Sequence, residues 1–253
     1  MFRNSEGQEV NPEECIFPLV TYIPNRNIWR CLGTAFFITP NGGFVTAKHV
    51  FFDNDRNYYP TLYGVQTTHN GEHHLRILRH LVLHENADIG VGMLGARRVP
   101  VEQNIQPEIT PYFQLDFGRP ANGDTIRTFA FPLTEREDLG NGQVEFEFFG
   151  TWSPGNITGY HPEGSLMVRN ECYQTSMQID FGASGGPVLK NDLVIAINSS
   201  AGNVPEGAEP ESYISPIDLI LDLQVPNGDG RISIRELVHK GNISGRFPSQ
   251  NVY

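Results

Sequence analysis

The sequence predicts an all-β protein built from short strands that tight turns connect. Its 253 residues include 26 glycines and 18 prolines, a composition that suits many strands separated by turns. Apolar segments flank Pro40-Asn41-Gly42-Gly43, as they do in a β-hairpin. Residues 188–197 also read as strand, turn and strand. Two antiparallel strand pairs can therefore be placed from local patterns alone.

Apolar runs place six strands in the first half of the chain, at residues 16–23, 33–38, 43–46, 63–67, 75–83 and 89–93. Asn70-Gly71 predicts the hairpin turn between the fourth and the fifth of these strands. Residues 101–119 contain Pro107 and Pro111, and we expect this segment to connect two halves of the fold.

The second half is expected to hold further strands at residues 125–131, 143–151, 165–168, 177–180, 188–189, 194–198 and 213–214. A C-terminal helix is expected to start at Ser215, because serine is a good N-cap and Pro216 suits the first helical position. Asp218 would then complement the helix dipole.

The most informative stretch of the chain is the segment around Ser184, which reads Phe181-Gly182-Ala183-Ser184-Gly185-Gly186-Pro187. Its glycines allow the backbone to turn tightly around one hydroxyl group and to aim N–H groups at a point beside that oxygen. Acyl transfer requires this arrangement, because it needs a nucleophile and donors for the oxyanion that forms on attack.

Two upstream residues could activate that serine. His49 follows the hairpin in Thr46-Ala47-Lys48-His49-Val50, and Asp88 opens the apolar run of residues 87–94. A histidine is the side chain best suited to act as a base near neutral pH. A carboxylate would hold the imidazole tautomer and stabilise the imidazolium. The sequence therefore predicts a catalytic triad of His49, Asp88 and Ser184.

The serine motif also fits the nucleophile elbow of α/β-hydrolases. That elbow needs a helix after the serine, and its acid and histidine follow the serine in the chain. Here a strand, a turn and a strand follow, and His239 is the only later histidine. The elbow interpretation is therefore disfavoured.

Taken together, the segments around residues 33–36, 46–49, 87–91 and 182–187 resemble trypsin-like serine proteases of the chymotrypsin superfamily, and they occur in that family's order. Residues 175–182 and 194–198 are similar to the bacterial HtrA-like branch. The resemblance covers about residues 15–222. It implies two six-stranded antiparallel β-barrels of the chymotrypsin type, at about 15–100 and 120–214, with a C-terminal helix at 216–222.

The resemblance also implies a binding site. The backbone N–H groups of Gly182 and Ser184 would form the oxyanion hole. The primary specificity pocket would be bordered by Gln178, Ile179, Phe181, Ser199, Ser200 and Ala201. No carboxylate falls where trypsin-like enzymes hold a basic side chain, so we expect a preference for a small or medium apolar residue.

Ala183 departs from the family pattern, because zymogens of the family carry an aspartate there that pairs with a new N-terminus. This departure motivates the hypothesis that the oxyanion loop stays disordered or flipped until a protein partner binds. The expected function is a serine endopeptidase that acts on protein or peptide substrates, with such an activating partner. The alternative is a catalytically silent protease-like domain that binds peptides or partner proteins.

Charge and composition exclude several other functions. The formal net charge of −11 argues against binding to nucleic acid or to an anionic membrane. Cys15, Cys31 and Cys172 are too few and too widely spaced to suggest a disulfide framework. The polar first residues contain no apolar signal core, and no apolar run approaches the length of a membrane span. We therefore expect a cytoplasmic protein without a cofactor.

The tail at 223–253 carries a separate signal, because residues 225–236 resemble an EF-hand calcium loop. Gly230, Ile232 and Glu236 fall at its sixth, eighth and twelfth positions, but Val225 occupies the first position, where a carboxylate belongs. A turn followed by a short amphipathic helix is the preferred interpretation, and a degenerate calcium site is the alternative. The five histidines between positions 69 and 84 lack zinc-site spacing, so no metal is expected.

Overall fold

The computed structural model describes residues 8–24, 27–96, 98–101, 104–107, 109–140, 143–201 and 211–248. The first six strands are β1 Ile16–Ile23, β2 Ile28–Phe37, β3 Gly43–Thr46, β4 Leu62–Thr67, β5 His73–Leu83 and β6 Gly90–Leu94. They close an antiparallel barrel in the order β1-β2-β3-β6-β5-β4.

A two-stranded hairpin and seven further strands follow: β7 Arg98–Val101, β8 Asn104–Pro107, β9 Leu115–Asp116, β10 Thr125–Gly140, β11 Gln143–His161, β12 Cys172–Thr175, β13 Pro187–Lys190, β14 Leu193–Ala201 and β15 Ser212–Pro216. Six of these strands form a second ring in the order β13-β10-β11-β12-β15-β14, which pairing between β13 and β14 closes. The structure thus has the two six-stranded antiparallel barrels that the sequence predicts.

Aromatic side chains fill the first barrel. The ring of Phe17 lies 4.4 Å from that of Phe37 and 5.6 Å from that of Phe44, and all three side chains are fully buried. Glycines make room for them, because a Cβ on Gly64 would lie 2.7 Å from the Phe17 ring and one on Gly92 would collide with Phe44. Rings of this size dominate core energetics, since each buries roughly 150–250 Å².

The remaining elements are short: α1 Pro12–Cys15, two 3₁₀ turns at Lys48–Phe51 and Ile217–Ile220, β16 Gln224–Asn227, β17 Gly230–Ser233, α2 Ile234–His239 and β18 Gly245–Arg246. The C-terminal segment packs on the barrels, because Ile234, Val238 and Ile243 are buried in the main core cluster. Strand β18 also pairs with β9, which runs parallel to β14.

Two predicted strands are wrong. Residues 165–168 form a turn, in which the Ser165 hydroxyl accepts the N–H groups of Met167 and Val168. Such local bonds compete with strand pairing. The next strand along the chain is β12, which begins only at Cys172. Residues 177–180 pair with no strand among the described residues, although Met177 and Ile179 are buried in the second barrel.

The predicted C-terminal helix is also shorter than expected. Only Ile217–Ile220 are helical, as a 3₁₀ turn, and its N-cap position is Pro216 with no side-chain cap. Ser215 does not cap this turn, because Ser215 belongs to β15. Its hydroxyl group is hydrogen-bonded to Ser199 Oγ at 2.7 Å.

The EF-hand-like segment forms a β-hairpin and a short helix, as preferred. Strands β16 and β17 pair with Asn227 opposite Gly230. The Glu236 carboxylate contacts Lys240 Nζ at 2.8 Å, so it is already paired. In the described ranges, no three His, Cys, Asp or Glu side chains converge as metal ligands. No helix in those ranges could cross a membrane. Cys15 and Cys172 are free thiols.

Candidate active site

His49 is presented at the surface by the 3₁₀ turn that follows β3. Val50 and Phe51 of this turn are buried, which leaves His49 on its outer side. Asp88 lies in the loop between β5 and β6. Its Oδ2 lies 2.8 Å from His49 Nδ1, and its Oδ1 accepts the backbone N–H of His49 at 2.9 Å. Both carboxylate oxygens therefore hold the same histidine.

The loop that carries Asp88 is fixed by a second histidine. His84 Nδ1 accepts the backbone N–H groups of Asn86 at 3.1 Å and Ala87 at 2.8 Å. Lys48 Nζ donates to the carbonyl oxygens of His84 and Glu85. Partial burial, and next the charge of Lys48, lower the pKa of His84. The neutral ring is therefore the form that holds the loop.

An asparagine connects Asp88 to the second barrel. Asn170 Oδ1 accepts the Asp88 backbone N–H at 2.9 Å, and its Nδ2 donates to Ser215 Oγ at 3.0 Å. Ser215 Oγ in turn bonds Ser199 Oγ. Asn170 therefore orients the backbone at Asp88 relative to β14 and β15.

Ser184 follows a tight turn that only glycine permits. The Ala183 N–H donates to Asp180 O at 3.1 Å, and Gly182, the third residue of this turn, has φ of +95°. Phe181 has no positive φ, so the turn is of type II. Gly185 is also left-handed, with φ of +84°, and a Cβ there would collide with Thr46.

Neutral hydrogen bonds hold this turn from two sides. From β2, Thr34 Oγ1 donates to Gly182 O at 2.9 Å and Thr34 N–H donates to Ser184 O at 2.8 Å. From β14, Asn198 Nδ2 donates to Ala183 O at 3.1 Å. The turn is thus anchored although Ala183 carries no charge.

The N–H groups of Gly182 and Ser184 have no acceptor among the described residues. Neither donor is therefore used within the described structure. Within the described structure, the Ser184 hydroxyl makes no hydrogen bond to His49. Catalytic hydrogen bonds are often long in the absence of substrate and tighten in the complex.

A family model described as a trypsin-like peptidase domain matches residues 33–197, which is most of the chain and includes all three predicted triad residues. The chain belongs to the trypsin-like peptidase family. No curated protein matches it.

Several solved structures resemble this chain in fold. The HtrA-type protease AlgW with a tripeptide has a TM-score of 0.57 at 16% identity, and the match covers 91% of this chain and 62% of that one. Deg5 has a TM-score of 0.56 at 17% identity, and the match covers 85% of this chain and 88% of Deg5. The active form of the Rv3671c protease from M. tuberculosis has a TM-score of 0.54 at 14% identity. That match covers 86% of this chain and 85% of the Rv3671c chain. The chain thus spans about 62% of the length of AlgW.

Two cavities are bordered by residues of the candidate site. One of about 870 Å³ is bordered by His49, Asp88, Asn170, Ser199 and Ser200. The other, of about 330 Å³, is bordered by residues that include Phe181 and Gly182. A third cavity, of about 450 Å³, lies between the first barrel and the C-terminal segment, away from the triad.

The predicted pocket residues have different environments. Phe181 and Gln178 are exposed, and Gln178 Nε2 donates to the Asp180 carboxylate. Ile179 is only 5% exposed, so its side chain belongs to the second-barrel core. Ser199 is buried against Ser215. Ala201 pairs with Ser212 through its backbone, and its side chain lies outside the described set.

Proposed function

We propose that the protein is a serine endopeptidase that hydrolyses peptide bonds through an acyl-enzyme on Ser184. The observation that carries this proposal is the two-point contact between Asp88 and His49, at 2.8 and 2.9 Å. With Nδ1–H donated to Asp88, the lone pair of His49 remains on Nε2. That nitrogen is then the base that Ser184 requires.

In the proposed reaction, Ser184 Oγ attacks the substrate carbonyl carbon while His49 takes the hydroxyl proton. The Gly182 and Ser184 N–H groups stabilise the oxyanion. His49 then protonates the leaving amine as the C–N bond breaks, and a water molecule activated by His49 hydrolyses the ester. Loss of one oxyanion donor typically costs about 3–4 kcal/mol of transition-state stabilisation.

The type II turn at Asp180–Ala183 supports an oxyanion hole that forms without an activating partner. Both donors are unpaired among the described residues, and Thr34 and Asn198 supply the anchor that Ala183 lacks. Gating by a partner is therefore the less favoured hypothesis for this chain.

A fluorophosphonate probe tests the proposed function. We expect it to label the purified protein, and Ser184→Ala and His49→Ala to abolish labelling. Ser153→Ala, on β11, is the matched control and should be labelled like the native chain. Absence of labelling in folded protein would favour the alternative of a silent peptide-binding domain.

A further inference from the structure

The third cavity lies between the outer face of the first barrel and the C-terminal segment, and it shares no residue with the two cavities of the candidate site. Its barrel wall includes Val91 and Met93 of β6, with Val82 of β5 opposite Val91. Successive residues of a strand point to opposite faces. Because a Cβ on Gly92 would meet the Phe44 ring inside the barrel, Val91 and Met93 point outward.

The C-terminal segment forms the opposite wall of this cavity. Val225 and Ile232 lie opposite each other in the β16–β17 hairpin, and Leu237 comes from α2. A backbone bond fastens the end of the hairpin, because Ile234 N–H donates to Leu223 O at 3.0 Å. Both walls are therefore ordered before a ligand binds, and a ligand would lose little free energy in fixing them.

The size and the lining of the cavity fit a small amphipathic molecule. Its volume of about 450 Å³ falls within the roughly 300–1,000 Å³ of pockets that bind small molecules, which combine apolar walls with a few polar groups. Here the polar groups are exposed side chains at the border of the cavity: Asn41, His80, Asn227, Lys240 and Asn242. A ligand with an apolar body and one polar end matches this division.

The charges at the border indicate the sign of that polar end. Among the described residues, no carboxylate borders the cavity, whereas the basic side chains of His80 and Lys240 do, in a chain of formal net charge −11. Lys240 Nζ contacts Glu236 Oε1 at 2.8 Å, but both side chains are more than half exposed. Exposed ion pairs of this kind contribute little, so Lys240 can turn to an anionic ligand.

We propose that this cavity binds an amphipathic carboxylate, such as a medium-chain fatty acid, with its apolar chain between Val91 and Val225 and its carboxylate beside Lys240. This inference does not rest on the proposed endopeptidase function. Each further CH₂ group that enters the cavity should tighten binding about fourfold. The charge of Lys240 should contribute a factor of up to about five.

An NMR titration of the full chain tests the site directly. The methyl groups of valine, leucine and isoleucine are isotope-labelled, and sodium decanoate is added below its micelle concentration. We expect saturable shifts of methyl groups at the cavity, such as those of Val82 and Val225, and none of Ile126 in the core of the second barrel. The dissociation constant should rise about fourfold for each CH₂ group removed, from decanoate through octanoate to hexanoate. Decyltrimethylammonium, which has the same chain and a positive head group, should bind more weakly than decanoate.

Two variants with matched controls locate the ligand. Val225→Phe should fill the cavity and weaken decanoate binding about tenfold or more, since exclusion of two CH₂ groups alone would have that effect. Val10→Phe is its control, because Val10 is also half-buried but does not border the cavity. Lys240→Gln should weaken decanoate up to about fivefold and should not weaken decyltrimethylammonium. Lys190→Gln, in the second barrel, should bind decanoate like the native chain.

Several results would overturn this site. They are absence of saturable shifts, shifts that extend equally to Ile126, equal binding of decyltrimethylammonium, and unchanged decanoate binding in Val225→Phe. Lys240 is exposed, so unchanged decanoate binding in Lys240→Gln would overturn the placement of the carboxylate even if Val225→Phe fails to fold. Shifts at the cavity that depend on protein concentration without decanoate would show that a second copy of the chain occupies this face, which would also overturn the proposal. Fluorophosphonate labelling tests the proposed function separately, because the cavity shares no residue with the candidate site.

Discussion

The two barrels hold their halves of the site by different means. In the first barrel, His49 and Asp88 bind each other directly, and the loop around Asp88 is fixed by His84 and Lys48 from the same barrel. In the second barrel, the turn before Ser184 is held partly by Thr34, which belongs to the first barrel.

Because of this difference, we expect the two halves of the site to respond to different substitutions. The base half of the proposed site depends mainly on contacts within the first barrel, with Asn170 Oδ1 on the Asp88 N–H as its one reported contact from the second. The nucleophile half depends more on how closely the barrels approach. A Cβ on Gly33 would lie 2.8 Å from Ser184 O, so the approach is tight here. Substitutions in the first barrel can therefore affect either the base alone or the oxyanion turn alone, according to which contact they remove.

The largest effect should come from Asp88→Asn, which targets the base half. The amide oxygen can still accept the His49 backbone N–H, so its NH₂ group would face His49 Nδ1. The ring proton would then move to Nε2, where it prevents His49 from accepting the Ser184 proton. We expect kcat for peptide hydrolysis to fall about 10⁴-fold with little change in KM.

Asp53→Asn is the control for this change. Asp53 borders the same large cavity, but its carboxylate bonds the backbone N–H groups of Asp55 and Asn57 and not His49. Its kcat should stay close to that of the native protein. An Asp88→Asn enzyme with undiminished kcat would show that His49 is not oriented by Asp88.

A smaller effect is expected from Thr34→Val, which targets the nucleophile half from across the barrel interface. The change removes the donor to Gly182 O and the acceptor of the Phe131 N–H. We expect kcat to fall by up to about 100-fold, less than for outright loss of an oxyanion donor. Stability should fall by about 1–3 kcal/mol, measured by urea unfolding.

Thr21→Val separates the two effects of that change. Thr21 is equally buried and its hydroxyl donates to Thr61 O at 2.6 Å, but it does not touch the turn. It should lose similar stability and keep its kcat. Equal losses of kcat in both variants would mean that Thr34 acts only through general stability.

The sequence suffices to propose His49, Asp88 and Ser184 as a triad, because each lies in a local motif, next to glycines or at the end of an apolar run. The residues that position them were not. Thr34 reaches Gly182 across 148 positions and Asn170 reaches Asp88 across 82. No pattern along one chain encodes such contacts, because they arise only when the barrels pack.

The wrong strand at 165–168 has a local cause. Leu166, Met167 and Val168 form an apolar run that matches a strand, yet Leu166 is fully exposed and only Val168 is buried. The Ser165 side chain and the left-handed Gly164 favour a turn instead. Hydrophobicity alone could not distinguish a buried strand from an exposed turn beside the larger cavity.

Protonation of His84, which belongs to the first barrel, should make the stability of the fold depend on pH. Its pKa lies below the ordinary 6.5, so the unfolded chain binds this proton more readily than the folded one. The corresponding stability is fully present above about pH 6.5 and is lost as pH falls through the lower folded-state pKa. His84→Asn keeps an acceptor oxygen that cannot be protonated, so its Tm should fall less between about pH 7 and pH 5 than that of the native protein.

His69→Asn is the matched control, because His69 lies in the exposed turn between β4 and β5. Its Tm profile should follow that of the native protein. If both variants follow the native profile, then protonation of His84 does not loosen the Asp88 loop.

The smallest effect should come from Lys48→Gln, which tests the same loop through its carbonyl groups. Loss of the bonds to His84 O and Glu85 O should cost about 1 kcal/mol at neutral pH. Loss of the positive charge should raise the pKa of His84 toward its ordinary value. The acid-induced loss of Tm should therefore become smaller and level off at a higher pH. Lys190→Gln removes a cation that pairs with Asp124 in the second barrel, and it should leave this part of the profile unchanged. A change of the His84 profile in Lys190→Gln would mean that the two halves of the site are not held independently.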